Sequence, residues 1–595
     1  MNSGLSPSDP TLVAAFRSAL LHQGAIALLM LGFLWLLWAT ARTWRPAASP
    51  RTGGATAGEP AEARARWLLR TGFGVLWIFD GILQAQPKMA GGLATQVMEP
   101  IAASSPGWVQ HLVNWGGTAW SYHPVQAGAA SVWIQVGIGT WLIVAVRGPW
   151  SRLAGAASVI WGLIVWVFGE SFGGIFAPGL SWLTGAPGAV LIYVVAGALI
   201  ALPEGAWRTP RPGRLLLAGL GVFFAAMAVL QAWPGRGFWL GSAGGKPGTL
   251  SRMVTEMAGT PQPHFLSSLL SGFASFATRY GFAVNLVVVI ALAAMGAAFL
   301  SGRPRLVRYA MWSGIVFCLA DWVLVQDFGF LGGLGTDPNS MIPLIVLFSA
   351  GYLALTPAAQ EAEAPARAAE AKRPGVRSVA AAGALAVILL GAAPMAAAAV
   401  NRTADPILAL AISGDSTSLN LPAPGFSLTD QNGRTVSLAS LRGKVVLMTF
   451  LDPVCTSDCP IIAQEFKQTG QMLGAQAKNV ELVAVVANPT YRSTAFTRAF
   501  DRQEGLTTVP DWLYLTGSLS QLGAVWRHYG VTVENLPAGA MAAHNDLAVV
   551  IDPAGRIRQE LSSDPGPATS STRSSFSVLL GQYARQALRQ TPGQS

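Results

Sequence analysis

Charged residues are scarce in this sequence of 595 residues: Asp, Glu, Lys and Arg make up 11 % of it, whereas hydrophobic residues make up 52 %. In soluble domains about a quarter of the residues are charged. The composition therefore excludes a wholly soluble protein and predicts that much of the chain lies in lipid. The length also exceeds that of one ordinary domain, so at least two domains are expected.

Cysteine is also rare, with three in the whole chain. So few cysteines exclude a disulfide-rich scaffold. Cys318 lies in an apolar run, where we expect it to act as a small hydrophobic residue. Cys455 and Cys459 stand four positions apart in the less hydrophobic C-terminal part, and they are the cysteines expected to carry chemistry.

Ten apolar runs are long enough to cross about 30 Å of hydrocarbon. The first is followed by Arg and not by a small-residue cleavage site, so it predicts a membrane span and not a cleaved signal peptide. The runs lie near residues 23–40, 68–86, 127–146, 153–169, 187–203, 214–233, 281–300, 306–326, 341–356 and 378–400.

Lys and Arg are distributed unevenly between the segments that join these runs. Alternate segments, namely 41–70, 147–152, 204–214, 301–308 and 357–378, contain 18 of them, and the other segments contain six. The positive-inside rule makes the Arg-rich side cytoplasmic. The formal net charge of +10 is thereby explained without nucleic acid, and everything after about residue 400 is predicted to lie outside the cytoplasm.

The membrane part repeats itself. GVLWIFDGILQAQP at 74–87 matches GVFFAAMAVLQAWP at 221–234, and WGLIVWVFGE from Trp161 matches WSGIVFCLAD from Trp312. The second match pairs Glu170 with Asp321, or with Asp327 if one insertion is allowed. We therefore expect two tandem four-helix units with the same orientation, related by an axis along the membrane normal.

The predicted fold class is a polytopic α-helical membrane module of about ten spans followed by a C-terminal α/β domain. Its predicted parts are an N-terminal transmembrane helix (1–45), two four-helix repeats (66–204 and 212–357), a cytoplasmic linker (358–377), a transmembrane tether (378–400) and the soluble domain (415–595).

Short β-rich runs alternate with helical ones from about residue 420, as expected of an α/β domain. VVLMTFL at 445–451 predicts a buried strand. Three more strands are predicted at ELVAVVA from Glu481, WLYLT from Trp512 and LAVVIDPAGRIR from Leu547.

The motif LDPVCTSDCP, residues 451–460, joins the first of these strands to a helix predicted to begin near Pro460. A thiol at a helix N-terminus can have its pKa lowered from about 8.5 to between 3.5 and 7.5. Two such thiolates one turn apart suit a soft cation such as Cu(I). His544, just before the last strand, is a candidate third ligand.

Other interpretations of these residues are open on spacing alone. CxxxC outside the cytoplasm is also compatible with a structural disulfide, and a histidine in a loop is more often solvated than metal-bound. Asp458, between the cysteines, either tunes the thiolates or is an exposed acid favoured by the helix dipole, which is the expectation we prefer. His528 falls near a helix end and is left out of the site.

The C-terminal part resembles the Sco/SenC family of thioredoxin-fold copper proteins over about residues 420–590. The resemblance is carried, in order, by LPAPGFSLTDQNGRTVSLASLRGKVVLMTF, CTSDCP, WLYLTGSLSQLGAVWRHYGV and HNDLAVVIDPAGRIR. Thr456, where the family commonly has Pro, and Asn545, after the histidine, depart from the family pattern without removing a ligand.

The resemblance implies that Cys455, Cys459 and His544 bind copper. It implies a membrane-anchored extracytoplasmic metallochaperone that aids assembly of the Cu-A centre, with the Cu-A subunit of cytochrome c oxidase or another extracytoplasmic cuproprotein as partner, in a multi-pass protein of the plasma membrane. The alternative is a thiol-disulfide oxidoreductase with Cys455 and Cys459 as the catalytic pair.

The membrane repeats loosely resemble DoxX-like proteins, and in the oxidoreductase alternative they supply the electrons. A third possibility is a transporter or quinone-reactive module with an accessory soluble domain. Asp80, Glu170, Asp321 and Asp327 lie within or at the outer ends of predicted spans, where acids are by default functional candidates. Equally, those near the ends reach the interface.

Overall fold

The chain divides into two compact units. Unit 1 comprises Met1–Leu20, Pro87–Ala129 and Pro394–Ser595, and unit 2 comprises Leu21–Gln86 and Ala130–Ala393. The computed structural model describes residues 10–43, 62–177, 180–243, 246–260, 262–331, 334–355, 374–400, 416–456, 458–535, 541–562 and 576–589. Most of the predicted cytoplasmic linker, up to residue 373, lies outside the described residues.

Twelve helices precede the C-terminal domain in the described part of the chain, apart from short helical turns. They are α1 Pro10–Thr43, α2 Arg64–Gln84, α3 Gly107–Tyr122, α4 Pro124–Val144, α5 Gly148–Phe168, α6 Ala189–Ala201, α7 Arg211–Ala232, α8 Thr249–Ala258, α9 His264–Ser301, α10 Pro304–Leu324, α11 Met341–Ala354 and α12 Pro374–Val400.

Seven helical segments in the described residues are long and apolar enough to cross a membrane, and each coincides with a predicted span. Two further predicted spans correspond to the shorter apolar helices α6 and α11, of 13 and 14 residues. At 1.5 Å per residue these extend only about 20 Å. The tenth corresponds to α2, which contains three Arg and Asp80. The count of ten spans stays a prediction.

The two predicted repeats share a close helix contact between glycines. A Cβ atom on Gly74 of α2 would lie 2.9 Å from the carbonyl oxygen of Gly139 of α4. In the second repeat, a Cβ atom on Gly221 of α7 would lie 3.0 Å from the carbonyl oxygen of Gly296 of α9. Both pairs let helix backbones approach closely, as small residues do in membrane helix packing.

The repeats also share a tryptophan-anchored turn. Trp166 Nε1 donates to the Pro187 carbonyl oxygen at 2.8 Å, and Trp322 Nε1 donates to that of Pro338 at 2.8 Å. Six residues after each tryptophan a phenylalanine in the left-handed region packs edge-on against its ring. The same chain turn therefore follows α5 and α10.

This correspondence corrects the predicted pairing of Glu170. When Trp166 is matched to Trp322, Glu170 matches Gln326, not Asp321 or Asp327. The Glu170 carboxylate accepts from the Val190 amide at 3.1 Å, and Gln326 Nε2 donates to Ser340 Oγ at 3.3 Å. Each side chain thus reaches the beginning of the short helix that follows it. The predicted pairing was wrong because WGLIVWVFGE and WSGIVFCLAD match in composition and not in position along their helices.

The other three acids singled out in the sequence are buried by protein. Asp80, Asp321 and Asp327 are 2 %, 5 % and 0 % exposed. These side chains are therefore covered by other parts of the protein, and their position relative to a membrane interface stays a prediction.

The C-terminal domain contains a six-stranded mixed sheet with the order β1-β10-β9-β4-β5-β6. Its strands and two short hairpins are β1 Ser416–Pro422, β2 Ser427–Thr429, β3 Thr435–Ser437, β4 Val445–Leu451, β5 Val480–Val486, β6 Trp512–Leu515, β7 Val533–Asn535, β8 Ala542–His544, β9 Leu547–Ile551 and β10 Arg556–Ser562. The helices are α13 Asp458–Leu473, α14 Thr494–Gln503, α15 Leu519–His528 and α16 Phe576–Arg589.

The centre of this sheet explains the apolar runs in the sequence. β4 pairs with β5 in parallel and with β9 in antiparallel, and every residue of all three strands is buried. Strands covered on both faces are continuous hydrophobic runs. The predicted α/β fold is confirmed, and the connection from β4 through α13 to β5 places the cysteine motif at the carboxyl end of a central strand.

Candidate metal centre

The cysteines lie where β4 ends and α13 begins. The Cys455 amide donates to the Asp452 carbonyl oxygen at 3.1 Å, which closes a tight turn after the strand. Helix α13 begins at Asp458, so Pro460 is its third residue and not its first. Proline is still tolerated there, because the first four amides of a helix have no partner within it.

Cys459 and His544 are in direct contact. Cys459 Sγ lies 3.3 Å from His544 Nε2. His544 is the last residue of β8 and precedes β9, the neighbour of β4 in the sheet. The predicted proximity of this histidine to the cysteine motif follows from that order, despite a sequence separation of 85 positions.

The second ring nitrogen of His544 lies near two oxygens. His544 Nδ1 is 3.4 Å from the Asn545 carbonyl oxygen and 3.7 Å from Asp546 Oδ1, and the side chains of His544 and Asp546 are 4 % and 8 % exposed. A hydrogen bond from the far nitrogen to a carbonyl or carboxylate orients an imidazole and raises its basicity as a ligand. Nε2 is therefore the nitrogen that faces the thiols.

The two thiols are not joined by a disulfide, they are buried, and they interact with each other. Cys455 is 8 % and Cys459 is 1 % exposed. Among the described residues no group of three His, Cys, Asp or Glu side chains is arranged to hold a metal ion. Cys459 contacts His544 and also interacts with Cys455. These donors, two sulfurs and one imidazole nitrogen, fit copper.

Burial controls the chemistry of Cys459 in this state. Removal from water raises the pKa of Cys459 well above its ordinary value, and the neighbouring Cys455 and Asp452 raise it further. The expectation of a lowered thiol pKa was wrong because desolvation outweighs the helix dipole at this depth. The thiol therefore needs a cation, or exposure to water, to ionise.

Asp452 ties the cysteine turn to the histidine strand, and the sequence analysis missed it. Its carboxylate accepts from the Val454 amide at 3.0 Å, the Ala542 amide at 2.7 Å and the Asn488 side chain at 3.0 Å. Its own amide donates to Cys459 Sγ at 3.2 Å. Burial raises the pKa of Asp452 to about 7. An acid directly after a buried strand was the signal available in the sequence.

Met541 is a second residue that the sequence analysis missed. The Thr456 amide, between the two cysteines, donates to Met541 Sδ at 3.4 Å. Thioether sulfur suits Cu(I), and Met541 stands three positions before His544. It holds the cysteine turn against the histidine strand through a soft atom.

The structure also locates the two residues that depart from the family pattern, Thr456 and Asn545. It locates the two remaining candidates, Asp458 and His528, as well. The Asn545 side chain accepts from the Thr532 amide at 2.8 Å, so it anchors the start of β7, while its carbonyl oxygen lies 3.4 Å from His544 Nδ1. Thr456 is 2 % exposed and Asp458 is 6 % exposed. The expectation of an exposed Asp458 was wrong, because the start of α13 is covered. His528 is exposed at the end of α15 and is not in the site.

Comparisons with known proteins agree on one part of the chain. Residues 415–573 match the family model described as SCO1/SenC. Comparison with curated proteins finds no match to the chain.

Three similar solved structures cover the same part. Bradyrhizobium japonicum ScoI with copper bound is 22 % identical, covers 29 % of this chain and 99 % of its own, and has a TM-score of 0.23. Yeast Sco1 with copper bound is 17 % identical and covers 29 % and 92 %, with a TM-score of 0.24. BsSco, described as a member of the Sco family of cytochrome c oxidase assembly proteins, is 19 % identical and covers 29 % and 97 %, with a TM-score of 0.26. The family match identifies residues 415–573 of this chain as a SCO1/SenC domain.

Proposed function

We propose that this protein is a membrane-anchored extracytoplasmic metallochaperone that binds Cu(I) through Cys455, Cys459 and His544. The observation that carries the proposal is the contact between Cys459 Sγ and His544 Nε2, at 3.3 Å, beside the second thiol. Copper is the cargo. Binding it replaces the thiol protons, which offsets the burial penalty on the thiolates. The Asn545 carbonyl oxygen, 3.4 Å from Nδ1, orients the imidazole as a nitrogen donor.

The partner follows from the same chemistry. An acceptor must offer thiolate or imidazole ligands in the same compartment, and solved proteins of the Sco family are described as acting in cytochrome c oxidase assembly. We infer that the recipient is the Cu-A subunit of that oxidase or another extracytoplasmic cuproprotein.

The membrane setting rests on two independent observations. The charge asymmetry of the loops places residues 87–126 and everything after about residue 400 on the same, outer side. Pro87–Ala129 and Pro394–Ser595 also belong to one compact unit. Two segments on opposite sides of a membrane could not share a unit, so we infer an extracytoplasmic C-terminal domain in a multi-pass protein of the plasma membrane.

A thiol-disulfide oxidoreductase is the second candidate, and the contact between the Cys455 and Cys459 thiols favours it. In this function the two thiols close into a disulfide as a substrate disulfide is reduced, and the DoxX-like membrane repeats return the electrons. Exchange depends chiefly on thiolate fraction and access, so a histidine is not required.

His544→Ala distinguishes the two functions. A chaperone should lose most of its Cu(I) and fail to support the oxidase Cu-A centre, while its thiols still form a disulfide. The matched control is His528→Ala, which removes an exposed histidine from the same domain. Metal content of the purified protein and Cu-A absorbance of membranes are the measurements. Full copper content and a normal Cu-A centre in His544→Ala, with thiol exchange intact, would favour the oxidoreductase.

A further inference from the structure

Helix α3, Gly107–Tyr122, packs against α13, the helix that contains Cys459. α3 lies between the second and third predicted spans and belongs to the same compact unit as the SCO1/SenC domain. The His111 ring stacks on Phe496, with centroids 6.2 Å apart and an interplanar angle of 20°. Helix α3 of the predicted membrane module therefore contacts a defined surface of the domain.

The surface that α3 contacts includes the turn that contains Cys455 and Thr456. A Cβ atom built on Gly117 would lie 3.7 Å from the Thr456 Cβ atom. Gly117 is buried in this contact, whereas Gly107 at the beginning of the same helix has nothing within 4 Å of its Cβ position. The α3 backbone thus runs directly over Thr456, the residue that follows Cys455.

Burial of α13 shows how complete the cover is. Every residue from Asp458 to Phe466 is buried, including the polar Gln464 and Glu465. Gln464 donates to the Glu504 carbonyl oxygen, and Glu465 accepts from the Ser577 amide, so the domain itself accounts for these two. A helix of an isolated domain keeps a solvent-exposed polar face. Here α3 covers the side where α13 begins.

We propose that α3 is a cap on the Cys455 turn, and that it occupies the surface through which a partner protein must reach the thiols. The domain is then closed in the resting state. A recipient, or a reductant of the thiols, gains access only when α3 and the domain separate. The cap extends the proposed function, but its test needs no copper, so failure of the cap and failure of copper binding are distinguishable.

Alkylation of the thiols tests the cap in the full chain. In a Cys318→Ala background only Cys455 and Cys459 react with a maleimide, and mass spectrometry of peptides follows each rate. Gly117→Glu places a charged side chain against the buried Thr456, and we expect at least about tenfold faster alkylation because the open state becomes more populated. The matched control, Gly107→Glu, puts the same charge on the same helix in open space and should leave the rate unchanged. Rates in Gly117→Glu within twofold of the parent would overturn the proposal.

A second measurement does not depend on a disruptive variant. A benzophenone amino acid in place of Phe496 should, on illumination, cross-link to a peptide that contains His111. A photoproduct that joins position 496 to any other segment, with none to residues 107–122, would overturn the cap even if Gly117→Glu fails to fold.

Discussion

Substitution of Asp452 is the strongest test of how the site is held together. It accepts hydrogen bonds from Val454, Ala542 and Asn488 in a position that is 0 % exposed. Asp452→Asn keeps the shape but replaces one acceptor oxygen with an NH2 group that faces a donor. A buried donor left without a partner costs about 1–3 kcal/mol. The affected donor is the Ala542 amide, two residues from His544, if the NH2 group replaces Oδ2, and the Val454 amide if it replaces Oδ1, whereas Asn488 keeps one acceptor oxygen in either case.

The consequence for copper follows from that energy. Each 1.4 kcal/mol corresponds to roughly a tenfold change in affinity, and loss of a residue that supports a ligand typically costs about 10–100-fold. We expect Cu(I) affinity, measured by competition with a chromophoric chelator, to fall within that range in Asp452→Asn. Cu(I) stoichiometry at saturation should be unchanged, because all three ligands remain.

Asp430→Asn is the matched control for this prediction. Asp430 is 3 % exposed and accepts from the Asn432 and Arg434 amides at 2.9 and 2.7 Å in a turn between β2 and β3. Because both amides donate to the same oxygen, Oδ1, the variant keeps this acceptor and should cost little stability and no Cu(I) affinity. Equal affinities of Asp452→Asn and the parent, within twofold, would refute the argument that Asp452 couples the cysteine turn to β8.

Two further predictions concern the site and the membrane. Met541→Leu keeps the volume but removes the sulfur that accepts from the Thr456 amide. Cu(I) affinity, measured by the same chelator competition, should fall by roughly tenfold at most, which is less than in His544→Ala. An unchanged affinity would exclude a role for the thioether. A reporter enzyme fused after residue 595 should be active only outside the cytoplasm, and one fused at Ala366 only inside, when activity is measured in whole cells. Cytoplasmic activity at the C-terminus would overturn the predicted topology.

The C-terminal fold could be predicted because its central strands are continuous apolar runs. VVLMTFL at 445–451 forms β4 with the predicted bounds, and such a run has few other places in an α/β domain. The position of His544 before a strand was enough to bring it to the cysteines, since β9 is the direct neighbour of β4. Chain order and strand pairing therefore bring His544 to Cys459, as the sequence predicted.

Burial of the site could not be predicted from local sequence. Asp458 and Cys459 stand at the beginning of a helix, where the dipole alone favours an exposed acid and a thiol of lowered pKa. Both are buried, and desolvation reverses the pKa shift of Cys459. The cover comes from elements far away in sequence, so no window around the motif contains the information.

The residue-by-residue alignment of the two membrane repeats could not be predicted for a different reason. Apolar helices of similar composition align with one another at several offsets, and the sequence match that begins at Trp161 and Trp312 was one of these. The discriminating feature is the turn beyond the helix, where Phe172 and Phe328 adopt positive φ. Together with the hydrogen bond from each tryptophan to a following proline carbonyl oxygen, these phenylalanines show which residues of the two repeats correspond.

Tethering determines how strong a cap on the thiols needs to be. Segments that one folded chain holds near each other stay in contact without high intrinsic affinity, because their effective concentration is high. The proposed cap can therefore work with a weak contact between α3 and the domain. A recipient that binds only the open state loses affinity in proportion to the closed fraction: if one molecule in about ten is open, its apparent affinity falls about tenfold. A recipient that also contacts α3 escapes that loss. Weak closure by the membrane module therefore protects the thiols from casual partners while a cognate partner retains access.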